Sequence, residues 1–349
     1  MNFIPLVKGI RLQNLLIGSI LLFMTFACKE TPTESNTAEE PRITLQPIPE
    51  FNPDTAYRFI EQQVALGPRV PNTEPHRKAA EMFLATFRRY GWEVQSQDFE
   101  AIAYNGTILK SRNIIASYNP EAKRRILLGA HWDTRPYADM DEDKSRRREP
   151  INGANDGGSG VGVLLEIARV IAQDSLKIKN IGIDIILFDS EDYGQPEDEQ
   201  QVAFKKDSWC LGSQYWAKNK HKEGYSAYYG ILLDMVGAAN ARFLLEGHSM
   251  EYAPTVVKKV WDTARQLGFG KHFVYESTAS LIDDHLYINQ LAGIPMIDII
   301  QYENGAFGSF WHTHNDNMDI ISKETLYAVG KTILQVLYNE DYEAAAAQQ

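Results

Sequence analysis

The sequence predicts an α/β fold: three α/β/α layers, with helices covering both faces of a central mixed, mostly parallel sheet. Three observations carry that reading. Short runs rich in Ile, Leu and Val, such as "RRILLGAHWD", "GIDIILFDSED", "YYGILLDMVG" and "GIPMIDIIQY", suit strands buried on both faces. Longer stretches with helical periodicity separate them, and strand followed by helix, repeated, favours parallel pairing. The apolar runs end in acids and histidine: His131 and Asp133, then Asp189, Glu191 and Asp192, then Asp234. In open α/β sheets ligands gather beyond the carboxyl ends of strands, so these residues are placed to form one site.

Taken in order, Lys8 and Arg11 precede "LLIGSILLFMTFAC", an apolar run too short to span a bilayer, and residues 1–27 read as an export signal. The closing Thr25-Phe26-Ala27-Cys28 resembles a bacterial lipoprotein signal. That resemblance implies a lipid on Cys28, a membrane anchor, and a mature chain facing the periplasm or cell surface. Its alternative is an ordinary signal peptide. Residues 28–50, opening with "KETPTESNTAEEPR" after the cysteine, suit a flexible tether.

From residue 51 to 349 the pattern is that of one folded domain, expected as a monomer. "PDTAYRFIEQQVALG" reads as a first helix capped by Asp54 or Thr55, and "EPHRKAAEMFLATFRRYG" as a second that stops at Gly91. "EVQSQDFEAI" alternates as a half-buried strand does, and "SRNIIASY" follows as a central one. "SGVGVLLEIARVIAQ", "APTVVKKVWDTARQLG" and "SKETLYAVGKTILQVLYN" are helical. "YGQPEDEQQVAFKKDSW", an acidic insertion after a strand, is expected as a surface loop near the site.

Hydrophobic residues make up 44% and charged residues 23%, near the averages for folded domains. The formal charge of −11 argues against nucleic acid as a partner. Loss of Lys8 and Arg11 with the signal, and of no acid, takes it to −13. Only Cys28 and Cys210 are present, so acylation of Cys28 leaves no pair for an internal disulfide and stability must come from the core.

Each candidate motif taken alone has a plain structural alternative. "WHTHND" offers a two-histidine clamp or a polar loop, and "NDGGSG" a ligand turn or an ordinary one; no Gly-Lys-Ser follows it to make a nucleotide loop. "FDSEDYG" packs three carboxylates that need a cation, a proton or solvent to coexist.

The order of "GAHWDT", "NGANDGGSGV", "LFDSED", "LLDMVG", "IDDH" and "WHTHND" resembles the zinc aminopeptidase superfamily and, within it, the glutaminyl cyclases, from about residue 55 onward. The resemblance implies a single zinc-dependent catalytic domain that converts the N-terminal glutamine of exported peptides or proteins to pyroglutamate. It assigns one zinc per chain to Asp156, Asp192 and His312, proton transfer to Glu191 with Asp234 and Asp283 as partners, and a pocket wall to Trp311. His131 and Asp234 would complete a second zinc site in a two-zinc aminopeptidase, the alternative activity. Asp283 in "IDDH" and Trp311 before His312 match the cyclases instead. Three positions depart from the family pattern: Ser190 stands for a glycine, Asp192 for a glutamate, and Asp298 for the histidine of animal cyclases. Asp284 and His285 are expected to order their loop, and His76, His221, His248, His272 and His314 to be surface or structural.

Overall fold

The computed structural model describes residues 44–174, 177–196, 198–199, 205 and 207–347. The export signal, Cys28 and the tether to residue 43 lie outside the described residues. Contacts with the domain begin before residue 51: Gln46 exchanges hydrogen bonds with Asn339 and Gln335, and Glu50 meets Tyr327 and Lys331.

Helix α1 (Pro53–Val64) is capped by neither Asp54 nor Thr55. Asn52 caps it, accepting from the Thr55 N–H at 3.1 Å. The reason is Pro53, which has no N–H to lose and suits the first helical position, so the cap falls one residue before it. Helix α2 (Glu74–Arg89) is capped by Thr73, and the chain turns out of it at Gly91 with φ +76°.

Strands β1 (Glu93–Ile102) and β2 (Ile108–Tyr118) form an antiparallel hairpin. There follow β3 (Arg125–His131), α3 (Gly158–Gln173), β4 (Gly182–Phe188), α4 (Leu211–Lys218) and β5 (Tyr229–Asp234). The last part holds β6 (Phe243–Leu245), α5 (Gly247–Tyr252), α6 (Pro254–Gln266), β7 (Phe273–Ser277), α7 (Asp284–Tyr287), β8 (Met296–Ile300) and α8 (Lys323–Ala346). The six-stranded sheet runs β1-β2-β4-β3-β5-β8, parallel from β4 through β3 and β5 to β8 and antiparallel at β2. It is therefore mixed and mostly parallel, as the apolar runs predict.

Strand side chains alternate between two cores, which is what makes three layers. Ile126, Leu128, Ile183, Ile185, Ile231 and Leu233 pack with α1, α3 and α8. Leu127, Ile186, Phe188 and Leu232 face Trp216 of α4 and Ile288 on the other side. Because β3 lies between β4 and β5, the chain winds away from it in both directions, and the crevice at its carboxyl end is the topological switch point. Helix α3 presses close there: a Cβ at Gly160 would stand 2.1 Å from the Leu233 carbonyl oxygen. No helix among the described residues is long and apolar enough to cross a membrane.

Glu246, which neither periodicity nor motif singles out, ties three segments together beneath the site. Its buried carboxylate accepts from the N–H groups of His248, Ser249 and Leu281, from the Ser249 hydroxyl, and from His285 Nε2 at 3.0 Å. Burial opposes its charge, but His285 and these donors outweigh that and hold its pKa at about 2. A depressed carboxylate stabilises the fold above its unfolded pKa of about 4.3 and loses that contribution as pH falls toward the folded value. Glu246→Gln is accordingly expected to cost roughly 3 kcal/mol at pH 7, with the gap from the parent narrowing between pH 5 and 3. Denaturant unfolding across that range measures it, and a gap independent of pH would contradict it.

Candidate active site

Loops beyond the carboxyl ends of β3, β4, β5 and β8 enclose a cavity of about 280 Å³. Asp156, Glu191, Asp192, Asp234, Asp283, Trp311 and His312 all line it, so every sequence-assigned site residue arrives at one place.

Asp156 sits just before α3 in a turn built from both sides. Its own N–H and that of Asn155 donate to the two oxygens of buried Asp316, at 3.0 and 2.7 Å. Asp316 belongs to the same "WHTHND" stretch as His312, so one short segment supplies one donor and anchors another. Burial, then the nearby Asp156 charge, pushes the Asp316 pKa up to about 7 despite the two N–H donors. Gly157 turns at φ +79°, where a Cβ would meet the Asp133 carbonyl oxygen at 2.8 Å and His131 at 2.9 Å.

After β4, the N–H groups of Glu191 and Asp192 donate to Asp133 at 3.0 and 3.2 Å, which aims the two neighbouring carboxylates apart. Ser190 takes φ +56°, a conformation that glycine adopts more readily, and its hydroxyl is held 2.6 Å from that of Ser111. Cys210, Met235 and His312 also have positive φ. Four strained non-glycine residues thus sit in the loops of one site, a clustering typical of functional centres.

His312 is held between aromatic rings. Trp311 stacks on it at 3.6 Å and Trp209 lies parallel at 6.0 Å. Burial, then the charges of Arg135 and His131, push its pKa well down and keep the ring neutral. His314 points elsewhere and bonds Asp141 at 2.7 Å, a structural role.

The fit to zinc can be judged from these atoms. His312 Nε2 lies 3.4 Å from Asp192 Oδ1 and 4.0 Å from Asp156 Oδ2. Donors on a tetrahedral zinc stand about 3.3 Å apart. Asp192 Oδ2 is buried with no hydrogen-bond partner among the described residues, and a neutral imidazole is the ligand form. Two carboxylates and one neutral histidine fit zinc, with a fourth position left for substrate.

A family model, Peptidase family M28, matches residues 113–337. The chain belongs to peptidase family M28. The glutaminyl cyclase of Bacteroides thetaiotaomicron, solved bound to N-acetylhistamine, is 51% identical; the match covers 84% of this chain and 99% of that one, with a TM-score of 0.81. A Zn-dependent exopeptidase from Parabacteroides distasonis is 50% identical over 84% of this chain and 100% of its own, also at 0.81. The glutaminyl-peptide cyclotransferase of Drosophila melanogaster is 26% identical over 282 residues, covering 74% of this chain and 73% of its own. Solved relatives at about half identity named as glutaminyl cyclases support cyclase activity for this chain, and the Zn-dependent relative together with the donor groups of the cavity supports zinc.

In this M28 chain a second group of donors adjoins the first. His131 Nε2 lies 3.0 Å from Asp156 Oδ1 and 3.2 Å from Asp234 Oδ1, so Asp156 is shared between both groups. Burial disfavours charge on His131, but the adjacent carboxylates of Asp133, Asp156 and Asp234 prevail and raise its pKa well above the ordinary value. Asp234 itself is pushed up to about 7, by burial first, with Asp156 and Asp283 adding to the rise against His131.

Glu191 faces Asp283 and Cys210, the three presenting oxygen or sulfur atoms within 4.8 Å of one another. The Cys210 thiol donates to Glu191 Oε1 at 3.2 Å. Burial, then the charges of Asp192, Asp283 and Asp284, raise the Glu191 pKa well above normal, opposed by His131. Asp283 caps α7, accepting from the Asp284 N–H at 2.5 Å, while its Oδ2 is buried without a partner among the described residues. His285 joins Glu246 rather than the cavity, which suits its loop-ordering expectation. The sequence reading missed Cys210, Trp209 and Glu246. Only Trp209 left a signal, as an aromatic closing the acidic insertion.

Proposed function

We propose that this chain is a glutaminyl-peptide cyclotransferase acting on peptides or proteins with N-terminal glutamine, with one zinc per chain held by Asp156, Asp192 and His312. The observation that carries it is the cavity itself, whose lining brings together Glu191, Asp283 and Trp311, the last stacked on His312. In cyclisation the α-amine nitrogen bonds to the side-chain carbonyl carbon, the carbon–nitrogen bond of the amide breaks, and ammonia leaves. Both reacting groups belong to one residue, so a pocket that folds the side chain back supplies proximity.

Zinc, when bound, supplies a Lewis acid that polarises the γ-carbonyl. The chain's own groups handle the protons. Glu191 takes one from the attacking amine and returns it to the departing ammonia, and burial, which raises its pKa, favours its holding that proton between the two transfers. Asp283 and Asp234, both with raised pKa values, hold the surrounding proton network, and one proton shared among packed carboxylates keeps their mutual repulsion low. Trp311 and Trp209 narrow the cavity against water, whose attack on the same carbonyl would give glutamate.

A two-zinc aminopeptidase is the second reading, favoured by the complete donor group of His131, Asp156 and Asp234. One comparison separates them: ammonia from a Gln-initiated peptide, leucine from a Leu-initiated one, and zinc per chain in the same preparation. Ammonia release with about one zinc is the expected result. Two tightly held zincs with leucine release would overturn it. Export and a lipid on Cys28, supported by the basic and apolar N-terminal run, complete the proposal for a monomer anchored at the membrane. Cys28→Ser is then expected to move the protein from the membrane to the soluble fraction.

A further inference from the structure

The segment after β3 does more than deliver His131 and Asp133. Arg135 is completely buried, and its five N–H donors meet five acceptors. Nε and Nη2 donate to the two oxygens of Asp139 at 2.6 and 2.8 Å. Nη1 donates to the main-chain oxygen of Asp192 at 3.1 Å and to its Oδ1 at 3.3 Å, and Nη2 also reaches the Gln195 carbonyl at 3.4 Å. The guanidinium plane lies 4.6 Å over Trp209.

The same segment also touches His312. Asp139 Oδ1 stands 3.5 Å from His312 Nδ1, and the Met140 N–H donates to the His312 carbonyl at 3.1 Å. A histidine that offers Nε2 to a metal carries its proton on Nδ1, and that proton needs an acidic acceptor to fix the tautomer and the ring. His312 Nδ1 has no closer hydrogen-bond partner among the described residues. Asp192 and His312 are 120 positions apart in the chain, yet one Arg–Asp pair contacts both.

Stability alone does not account for such a pair. Burying two charges costs several kcal/mol per ion before their attraction repays it, and apolar side chains of similar volume do as well or better. The fork of Arg135 fixes something an apolar group cannot. It pins Asp192 by main chain and side chain together, and leaves Oδ2 without a hydrogen-bond partner among the described residues.

We propose that Arg135 and Asp139 are positioning residues for the zinc site: Arg135 sets the pose of Asp192, and Asp139 orients His312 through Nδ1. The proposal rests on the reading of Asp156, Asp192 and His312 as zinc ligands, and its test keeps the two apart. Asp139→Asn removes the acidic acceptor with little change of shape, and Arg135→Lys keeps the buried charge while losing the fork. Zinc dissociation constants are measured for the full chain and both variants by competition with a chromophoric chelator, beside melting of each zinc-free protein. Both variants are expected to bind zinc about 10- to 100-fold more weakly, the usual worth of such outer partners. A merely structural pair would lower the zinc-free melting temperature and leave the dissociation constants alone. Variants that fold and bind zinc within twofold of the parent overturn the proposal. If Asp139→Asn does not fold, Arg135→Lys, with its ion pair intact, decides the matter. A parent that binds no zinc would instead remove the ligand reading beneath it.

Discussion

Replacing Glu191 by glutamine is expected to leave zinc bound and to lower the turnover of a Gln-initiated peptide by about 10²- to 10⁴-fold, the range general acid–base groups supply. The substitution keeps the shape of the side chain and touches none of the contacts that aim the loop. The N–H groups of residues 191 and 192 still reach Asp133, so Asp192 keeps its pose. What is lost is an atom able to take a proton and give it back. Zinc content by metal analysis and ammonia release at saturating peptide test both halves together. Cyclisation at the parental rate would remove Glu191 from the proton path, and loss of zinc would make it a support for Asp192 instead.

That expectation depends on residues the sequence displays openly. Strands buried on both faces must be apolar throughout, so the first polar residue after each run marks a strand end, and the fold rule places that end at the site. His131, Glu191, Asp192 and Asp234 were legible for this reason, and family order added Asp156, Asp283, Trp311 and His312. The supports were not legible. Glu246, Cys210 and the Arg135–Asp139 pair act through side-chain hydrogen bonds between segments that only folding brings together, and these leave no periodicity. The spacing of Arg135 and Asp139 by four residues is visible in "TRPYAD", but it is equally the spacing of a solvated surface pair, and only burial distinguishes them. Helix α4 was missed because Cys210 precedes it in a left-handed conformation with no side-chain cap. β6 and β7 escaped because one has three residues and the other is mostly exposed, too little for an alternating pattern.

The pair of neighbouring histidines gives the other large effect. His312→Ala is expected to weaken zinc binding by more than the roughly 10–100-fold that outer partners are worth, because it removes a donor outright. His314→Ala is expected to leave zinc affinity unchanged. Their spacing would put both on one face of a strand, but the segment is not a strand: His312 turns at φ +55°, and the two rings part. One goes inward between Trp311 and Trp209 toward Asp192, the other outward to Asp141. The strain at His312 is offset by the Met140 N–H on its carbonyl and by ring stacking, so a glycine there would relieve the backbone and still lose the site. Chelator competition on the two alanine variants checks the assignment. Equal loss of zinc in both would restore a two-histidine clamp and displace one of the aspartates from the ligand set.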